Sequence, residues 1–206
     1  DAIVFPADRR TPTSSEFKKI ATSSLRRRCQ WLHRFPEAQF ENLRGNVQTR
    51  LAKLDASDWD GAIFAPAAIE RLEITSHSFE VLDWMLPAPA QGAIGIVCRL
   101  DDNPVLDVLV RLNDAETNLA VSIERDFMAT LQGGCAVPIA ALAMPYKDGI
   151  HFKGNLFTLD AKKFANDFLI YLLPLSLQGS SLEHNLFQLY WLEDYGFLPA
   201  PSLLVY

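Results

Sequence analysis

Lys18-Lys19-Ile20-Ala21-Thr22-Ser23-Ser24-Leu25-Arg26-Arg27-Arg28 decides the fold. Lys18 to Ala21 reads as a short strand that runs into three hydroxyl residues. Leu25 to Arg34 then reads as a helix, with Leu25, Trp31 and Leu32 as its apolar positions and Pro36 beyond its end. The alternation repeats downstream. Gln39 to Leu43 is a second strand, Val47 to Asp55 a second helix, and Gly61 to Ala65 a nearly continuous apolar strand, followed by a short helix containing Ile69 and Leu72. Strand, helix, strand, helix, strand at this spacing predicts an α/β unit with a parallel sheet and covering helices.

Beyond it, Pro87, Pro89 and Gly92 punctuate the chain and mark a crossover between domains. Ala93 to Arg99 reads as a strand, and Pro104 to Leu112 as a helix with Leu106, Leu109 and Val110 inward. From Leu119 to Leu131 apolar residues recur at helical spacing up to Gly133. Val137 to Ala143 and Ile150 to Leu156 predict an antiparallel hairpin around Lys147-Asp148-Gly149. Neither an internal repeat nor a low-complexity segment is present.

The net charge of −6 hides an uneven distribution. Arg9 to Lys53 carries eleven Lys or Arg against Glu16, Glu37 and Glu41, whereas the chain after Lys53 carries eight basic residues against twenty acidic ones. A basic first quarter on an acidic chain points to a local anion site. Aromatic residues are not interleaved with these charges as single-strand nucleic-acid binders require, so no nucleic-acid partner is expected. No apolar run reaches the 18 or more residues of a membrane helix, so no membrane partner is expected either. Cys29, Cys98 and Cys135 are too few and odd in number for a disulfide framework, which favours a reducing, cytoplasmic setting.

Three short motifs carry chemistry. Thr22, Ser23 and Ser24 lie between strand and helix, where a hydroxyl caps the helix and its free N–H groups can receive an anion. Taken alone this is an ordinary cap. Arg26 and Arg27 add guanidinium forks that match carboxylates, while Arg28 reads as a solvated surface charge. In Leu43-Arg44-Gly45-Asn46, Gly45 and Asn46 tolerate positive φ, so the turn can aim Arg44 toward the carboxyl edge of the sheet. Arg50, one turn into the next helix, and Arg71, after the third strand, are expected at the same edge. Taken singly, each reads better as a salt-bridged surface arginine. Gly133-Gly134-Cys135 puts a thiol on a glycine-flexed loop after a helix, whereas Cys29 and Cys98 read as small core residues. His33, His77, His151 and His184 show no metal spacing and no pairing with Cys135, which argues against a zinc site or a thiol hydrolase.

In this order the motifs resemble porphobilinogen deaminase (hydroxymethylbilane synthase). Leu86-Pro87-Ala88-Pro89-Ala90-Gln91-Gly92-Ala93 looks like that family's crossover, with Ala90 where glycine is common, and Ala120 to Arg125 looks like its Ala-x-x-x-Glu-Arg helix. The resemblance runs from about Asp1 to about Leu159. It implies a periplasmic-binding-protein-like parallel or mixed sheet domain over residues 1–88, a crossover with a remnant of a first domain over 89–115, and a smaller α+β domain bearing the cysteine over 116–206. The tail after about residue 161 is expected to be atypical.

It further implies a dipyrromethane cofactor joined by a thioether to Cys135, with Thr22, Ser23, Ser24, Arg26, Arg27, Arg44 and Gly45 around it. Arg26 and Arg27 would act in catalysis, and Arg44, Arg50 and Arg71 would hold the carboxylates of porphobilinogen and the growing polypyrrole chain. A monomer is expected. The family's catalytic aspartate belongs to a Lys-Asp-Val-Pro type motif that no Asp here matches. The resemblance therefore implies a truncated or frame-shifted product, incomplete for catalysis. The rival reading is a non-catalytic module that binds small carboxylates through its arginine edge.

Overall fold

The computed structural model describes residues 1–8, 17–131, 137–146 and 149–171, with side chains described to residue 165. Two sheets organise it. The first has five strands in the order β3-β2-β4-β1-β5, formed by β1 (Ala2–Val4), β2 (Lys19–Ala21), β3 (Gln39–Glu41), β4 (Gly61–Phe64) and β5 (Phe79–Val81). β2 pairs in parallel with both β3 and β4, as the strand–helix alternation predicts. β1 lies antiparallel between β4 and β5, so the sheet is mixed rather than parallel throughout. The two added strands are three residues each, too short for a pattern of period two to stand out.

Alternation along the strands separates two cores. Ala2, Val4, Ala21, Ala62 and Phe64 face helices α2 (Val47–Asp55) and α3 (Pro66–Arg71), meeting Leu51, Leu54 and Ile69. Ile3, Ile20 and Ile63 face the other way, toward Trp31 of α1 (Leu25–Arg34) and toward Leu82 and Met85. Trp31 is fully buried there, its ring 5.6 Å from those of Phe17 and Trp84.

The second sheet is an antiparallel meander of β6 (Ile139–Tyr146), β7 (Gly149–Phe157) and β8 (Phe164–Tyr171). It contains the predicted hairpin, lengthened toward the turn, with its first strand starting at Ile139 and not at Val137. Helix α5 (Ala115–Thr130) packs on it through Ala120, Ile123 and Phe127. Gly154 makes room for that helix, because a Cβ there would meet the Phe127 ring at 2.8 Å. The two units touch along α1. Asn155 Nδ2 donates to Gln30 Oε1 at 3.2 Å, the Cys29 thiol lies 3.6 Å from the Thr158 carbonyl, and the His33 ring sits 3.9 Å from that of Phe164. Cys29 is buried, and that burial raises its thiol pKa, an effect opposed by Arg28 and reinforced by Asp160. It is a packing residue, as its place in a helix predicts.

The segment between the units departs from expectation. Residues 93–99 belong to neither sheet, although their apolar run reads as a strand. Cys98 is consequently half-buried rather than set in an apolar strand. The helix expected to end at Leu112 is α4 (Asn103–Leu109), followed by a 3₁₀ turn over Val110–Leu112. Leu106 and Leu109 are only half-buried, and Val110, expected inward, is 72% exposed. Among the described residues no helix is long and apolar enough to cross a membrane.

Candidate functional site

The parallel arrangement of β3, β2 and β4 brings the loops that follow them to one edge of the sheet. Hydroxyls fasten that edge together. Ser24 caps α1, its Oγ accepting from Arg27 N, and Thr22 Oγ1 accepts from Ser24 N at 3.2 Å. Ser23 Oγ reaches the next loop, donating to the Leu43 carbonyl at 3.0 Å and accepting from Leu43 N at 2.9 Å. Ser23 thus holds the two loops in register, Thr22 fixes the first of them, and the simple capping role anticipated for this motif is the one observed for Ser24.

Gly45 shapes the second loop. Its φ of +121° lies where side chains are rarely tolerated, and a Cβ would meet Thr49 Cγ2 at 2.8 Å. Asn46 then caps α2, accepting from Thr49 N at 2.8 Å. Arg44 is exposed on this turn, its carbonyl accepting from Lys53 Nζ at 2.9 Å. Arg50 is half-buried and donates Nε to the Gly45 carbonyl at 2.7 Å, one of its five N–H groups. Gly45→Ala is expected to lose about 1–3 kcal/mol from backbone strain alone. Thermal unfolding checks this, and an unchanged midpoint would refute the strain. Arg71 is exposed in the last turn of α3, at the opposite end of that helix from the strand that leads into it.

Arg26 and Arg27 are turned inward. Their side chains are 7% and 13% exposed, and they flank the Asp1 carboxylate, which is fully buried. Arg27 Nη2 donates to Asp1 Oδ1 at 2.8 Å, and Arg27 Nη1 donates to the Ile63 carbonyl at 2.9 Å. Arg26 Nη2 lies 2.7 Å from Asp1 Oδ2, an ion pair whose N–H does not point along the contact, so that Oδ2 accepts no hydrogen bond. Arg26 also donates through Nη1 to the Leu86 carbonyl and through Nη2 to Gln91 Oε1 at 3.2 Å. Burial, and for Arg26 the adjacent charge of Arg27, pushes the guanidinium pKa values down to about 9 and about 10 respectively. Both stay cationic at neutral pH. Two cations on one carboxylate leave a positive excess at the edge.

The same cluster grips the crossover. Gln91 Nε2 donates to Asp1 Oδ1 at 3.0 Å, while Gln30 accepts from Leu86 N at 2.8 Å and donates to the Leu86 carbonyl at 3.0 Å. From the other side Glu124, which is buried, accepts from Ala90 N at 2.6 Å and from Ala143 N at 2.8 Å. Ala141 N donates to the Pro87 carbonyl at 3.1 Å. Asp1 and Gln30 were not singled out by the sequence reading, and Gln91 and Glu124 entered it only as members of the crossover and Ala-x-x-x-Glu-Arg motifs, with no role given to either. A signal existed for Glu124, because it stands on the stripe of Ala120, Ile123 and Phe127, where an apolar residue belongs.

The carboxylate set between these two guanidiniums belongs to the chain itself. Cys135, and the whole of 132–136, lie outside the described residues. Among the described residues no three His, Cys, Asp or Glu are grouped to hold a metal ion.

Two family models match the chain in order: porphobilinogen deaminase, dipyromethane cofactor binding domain, over residues 1–107, and porphobilinogen deaminase, C-terminal domain, over residues 118–168. A porphobilinogen deaminase from Syntrophotalea carbinolica is 40% identical over 171 residues, covering 82% of this chain and 54% of that relative. The chloroplastic enzyme of Pisum sativum is 49% identical over 133 residues, 63% of this chain and 36% of its own length. That of Oryza sativa subsp. japonica is 45% identical over 144 residues, 68% and 40% respectively. The chain therefore spans about half of the bacterial relative, and less of the two plant proteins.

Proposed function

The chain belongs to the porphobilinogen deaminase family, and from that premise we propose that it carries cofactor- and substrate-holding parts of a hydroxymethylbilane synthase. That enzyme condenses four porphobilinogens, with loss of ammonia, into a linear tetrapyrrole in tetrapyrrole and heme biosynthesis. The observation that carries the reading is the match of the cofactor-binding family model to residues 1–107, the stretch that contains the cationic sheet edge.

In this reading the five-stranded unit, residues 1–88, is the periplasmic-binding-like, anion-holding domain. Residues 89–115 are the crossover with a remnant of the first domain, and 116–206 the cysteine-bearing domain. Cys135 holds the dipyrromethane through a thioether. When bound, that group supplies the free pyrrole carbon on which the chain grows. The protein's own work is to hold carboxylates and keep them in place. Arg26 and Arg27 supply charge for the acetate and propionate groups nearest the α1 N-terminus, with Thr22, Ser23, Ser24 and Gly45 fixing the loops around them. Arg44, Arg50 and Arg71 take the carboxylates of incoming porphobilinogen and of the growing chain. Guanidinium forks suit this task better than ammonium groups, since each can grip a carboxylate bidentately. The role of the family's Lys-Asp-Val-Pro aspartate is assigned to no residue of this sequence. The setting is cytoplasmic and the working form contains a single copy of the chain.

Intact mass spectrometry after incubation with porphobilinogen tests the reading. The expected result is an adduct of at least two pyrroles on the chain that disappears in Cys135→Ala. An unmodified mass, both alone and together with the unmatched portion of a relative, would overturn it.

A further inference from the structure

Ser76, His77 and Asp55 form a hydrogen-bonded line that the arginine edge does not use. His77 Nε2 lies 3.1 Å from both Asp55 Oδ1 and Asp55 Oδ2, and His77 Nδ1 lies 2.9 Å from Ser76 Oγ. Three elements bring them together: the last turn of α2, the chain leaving β1 and the chain entering β5. Ala7 N donates to Asp55 Oδ1 at 3.1 Å, which fixes the carboxylate. The bend that carries Ser76 and His77 is fastened on both sides, since Ile74 N donates to the Ile69 carbonyl at 3.1 Å and Phe5 N to the Ser78 carbonyl at 3.0 Å. Asp55 ends α2, whereas Asn46, at the other end of that helix, belongs to the loop that carries Arg44. A helix of nine residues, rising about 1.5 Å at each, separates the two places by about 13 Å.

The protonation pattern follows from the partners. An ionised carboxylate only accepts, so Asp55 draws the single N–H of a neutral imidazole to Nε2. Nδ1 is then the basic nitrogen, and the Ser76 hydroxyl donates to it. A hydroxyl within reach of a base that a third group orients is the arrangement of an activated nucleophile. Exposure divides the roles. The His77 side chain is 6% exposed, so water competes little for its nitrogens, whereas Ser76 is open to solvent and to a reagent.

We propose that Ser76 is an acyl-accepting nucleophile, with His77 as its general base and Asp55 orienting that base, for small neutral acyl groups carried as activated esters or thioesters. Ser76 Oγ attacks the acyl carbon, and its proton passes to His77 Nδ1. The new Oγ–C bond forms as the C–O or C–S bond to the leaving group breaks. Nδ1 then returns the proton to the departing oxygen or sulfur. At an exposed serine it is water that stabilises the developing oxyanion, which restricts the reaction to good leaving groups. The Asp55 carboxylate on the far side of the imidazole, 41% exposed, disfavours anionic acyl groups.

Incubation of the full chain with p-nitrophenyl acetate, followed by peptide mapping of the acetyl groups, tests this. Ser76 is expected to acquire acetyl at least about a hundredfold faster in the folded chain than in the urea-unfolded one, where the three groups are apart. Ser76→Ala, a change at an exposed position, should abolish that label and leave the melting temperature unchanged. Asp55→Asn, which no longer fixes the tautomer, should slow the labelling about tenfold or more. The inference is overturned if Ser76 reacts no faster folded than unfolded, if acetyl falls only on lysines, cysteines and the amino terminus, or if Asp55→Asn labels at the same rate. None of these readings involves Cys135, so acylation of Ser76 and attachment of pyrroles stand or fall separately.

Discussion

Asp1→Asn is expected to destabilise the fold by about 3–5 kcal/mol, more than the loss of either arginine that Asp1 holds. The reasoning is a count of charge in a dry place. Arg26 and Arg27 flank one carboxylate that is fully buried. Removing that carboxylate leaves two buried guanidiniums facing each other with no anion between them. Arg27→Met, by contrast, leaves Arg26 and Asp1 as a balanced pair and removes the source of repulsion that already lowers the Arg26 pKa. It loses the bonds to the Ile63 carbonyl and to Asp1 Oδ1, the latter oxygen keeping Gln91 as a donor, a smaller penalty of roughly 1–3 kcal/mol. Urea unfolding followed by the fluorescence of buried Trp31 separates the two variants. If Arg27→Met proves the more damaging, the cluster is not governed by charge balance.

Glu124→Leu is expected to cost about 2–6 kcal/mol, because it strands one buried and one half-buried backbone donor at roughly 1–3 kcal/mol each. Ala90 N and Ala143 N both depend on this one carboxylate, and they belong to segments that otherwise meet through the bond from Ala141 N to the Pro87 carbonyl. The loss should appear as earlier unfolding and as faster amide exchange at both donors. Glu124→Gln keeps one acceptor oxygen and should recover part of the loss. Equal damage from the two variants would mean that the side chain matters for its volume and not for its oxygens.

What could be read from the sequence followed from local pattern. Helices Leu25–Arg34 and Val47–Asp55 were legible to the residue, because Ser24 and Asn46 cap them and their apolar positions recur at helical spacing. The shared edge of Arg44 and Arg50 followed from strand–helix alternation. The inward turn of Arg26 and Arg27 was not legible. It depends on Asp1 arriving through β1, a three-residue strand whose partners lie far along the chain. The strand expected over 93–99 fails for the opposite reason. Its pattern is correct for an interior strand, and no neighbour among the described residues completes it. Local sequence states what a segment needs, and tertiary structure decides whether the need is met.

The position of β1 also bears on how the protein is made. Ala2 pairs with Phe64 on one side and Val81 on the other, so β1, synthesised ahead of both of its neighbours, waits for them. Ribosomes add roughly 5–20 residues per second, which leaves this apolar segment unpaired for several seconds or more. β2, β3 and β4 are complete well before β5 appears, and they can assemble as soon as they emerge. The slot between β4 and β5 is therefore filled late, by a segment already in hand. Nascent chains stalled before residue 61 should be the ones that trigger factor-like chaperones hold most tightly, and release should follow emergence of Gly61–Phe64.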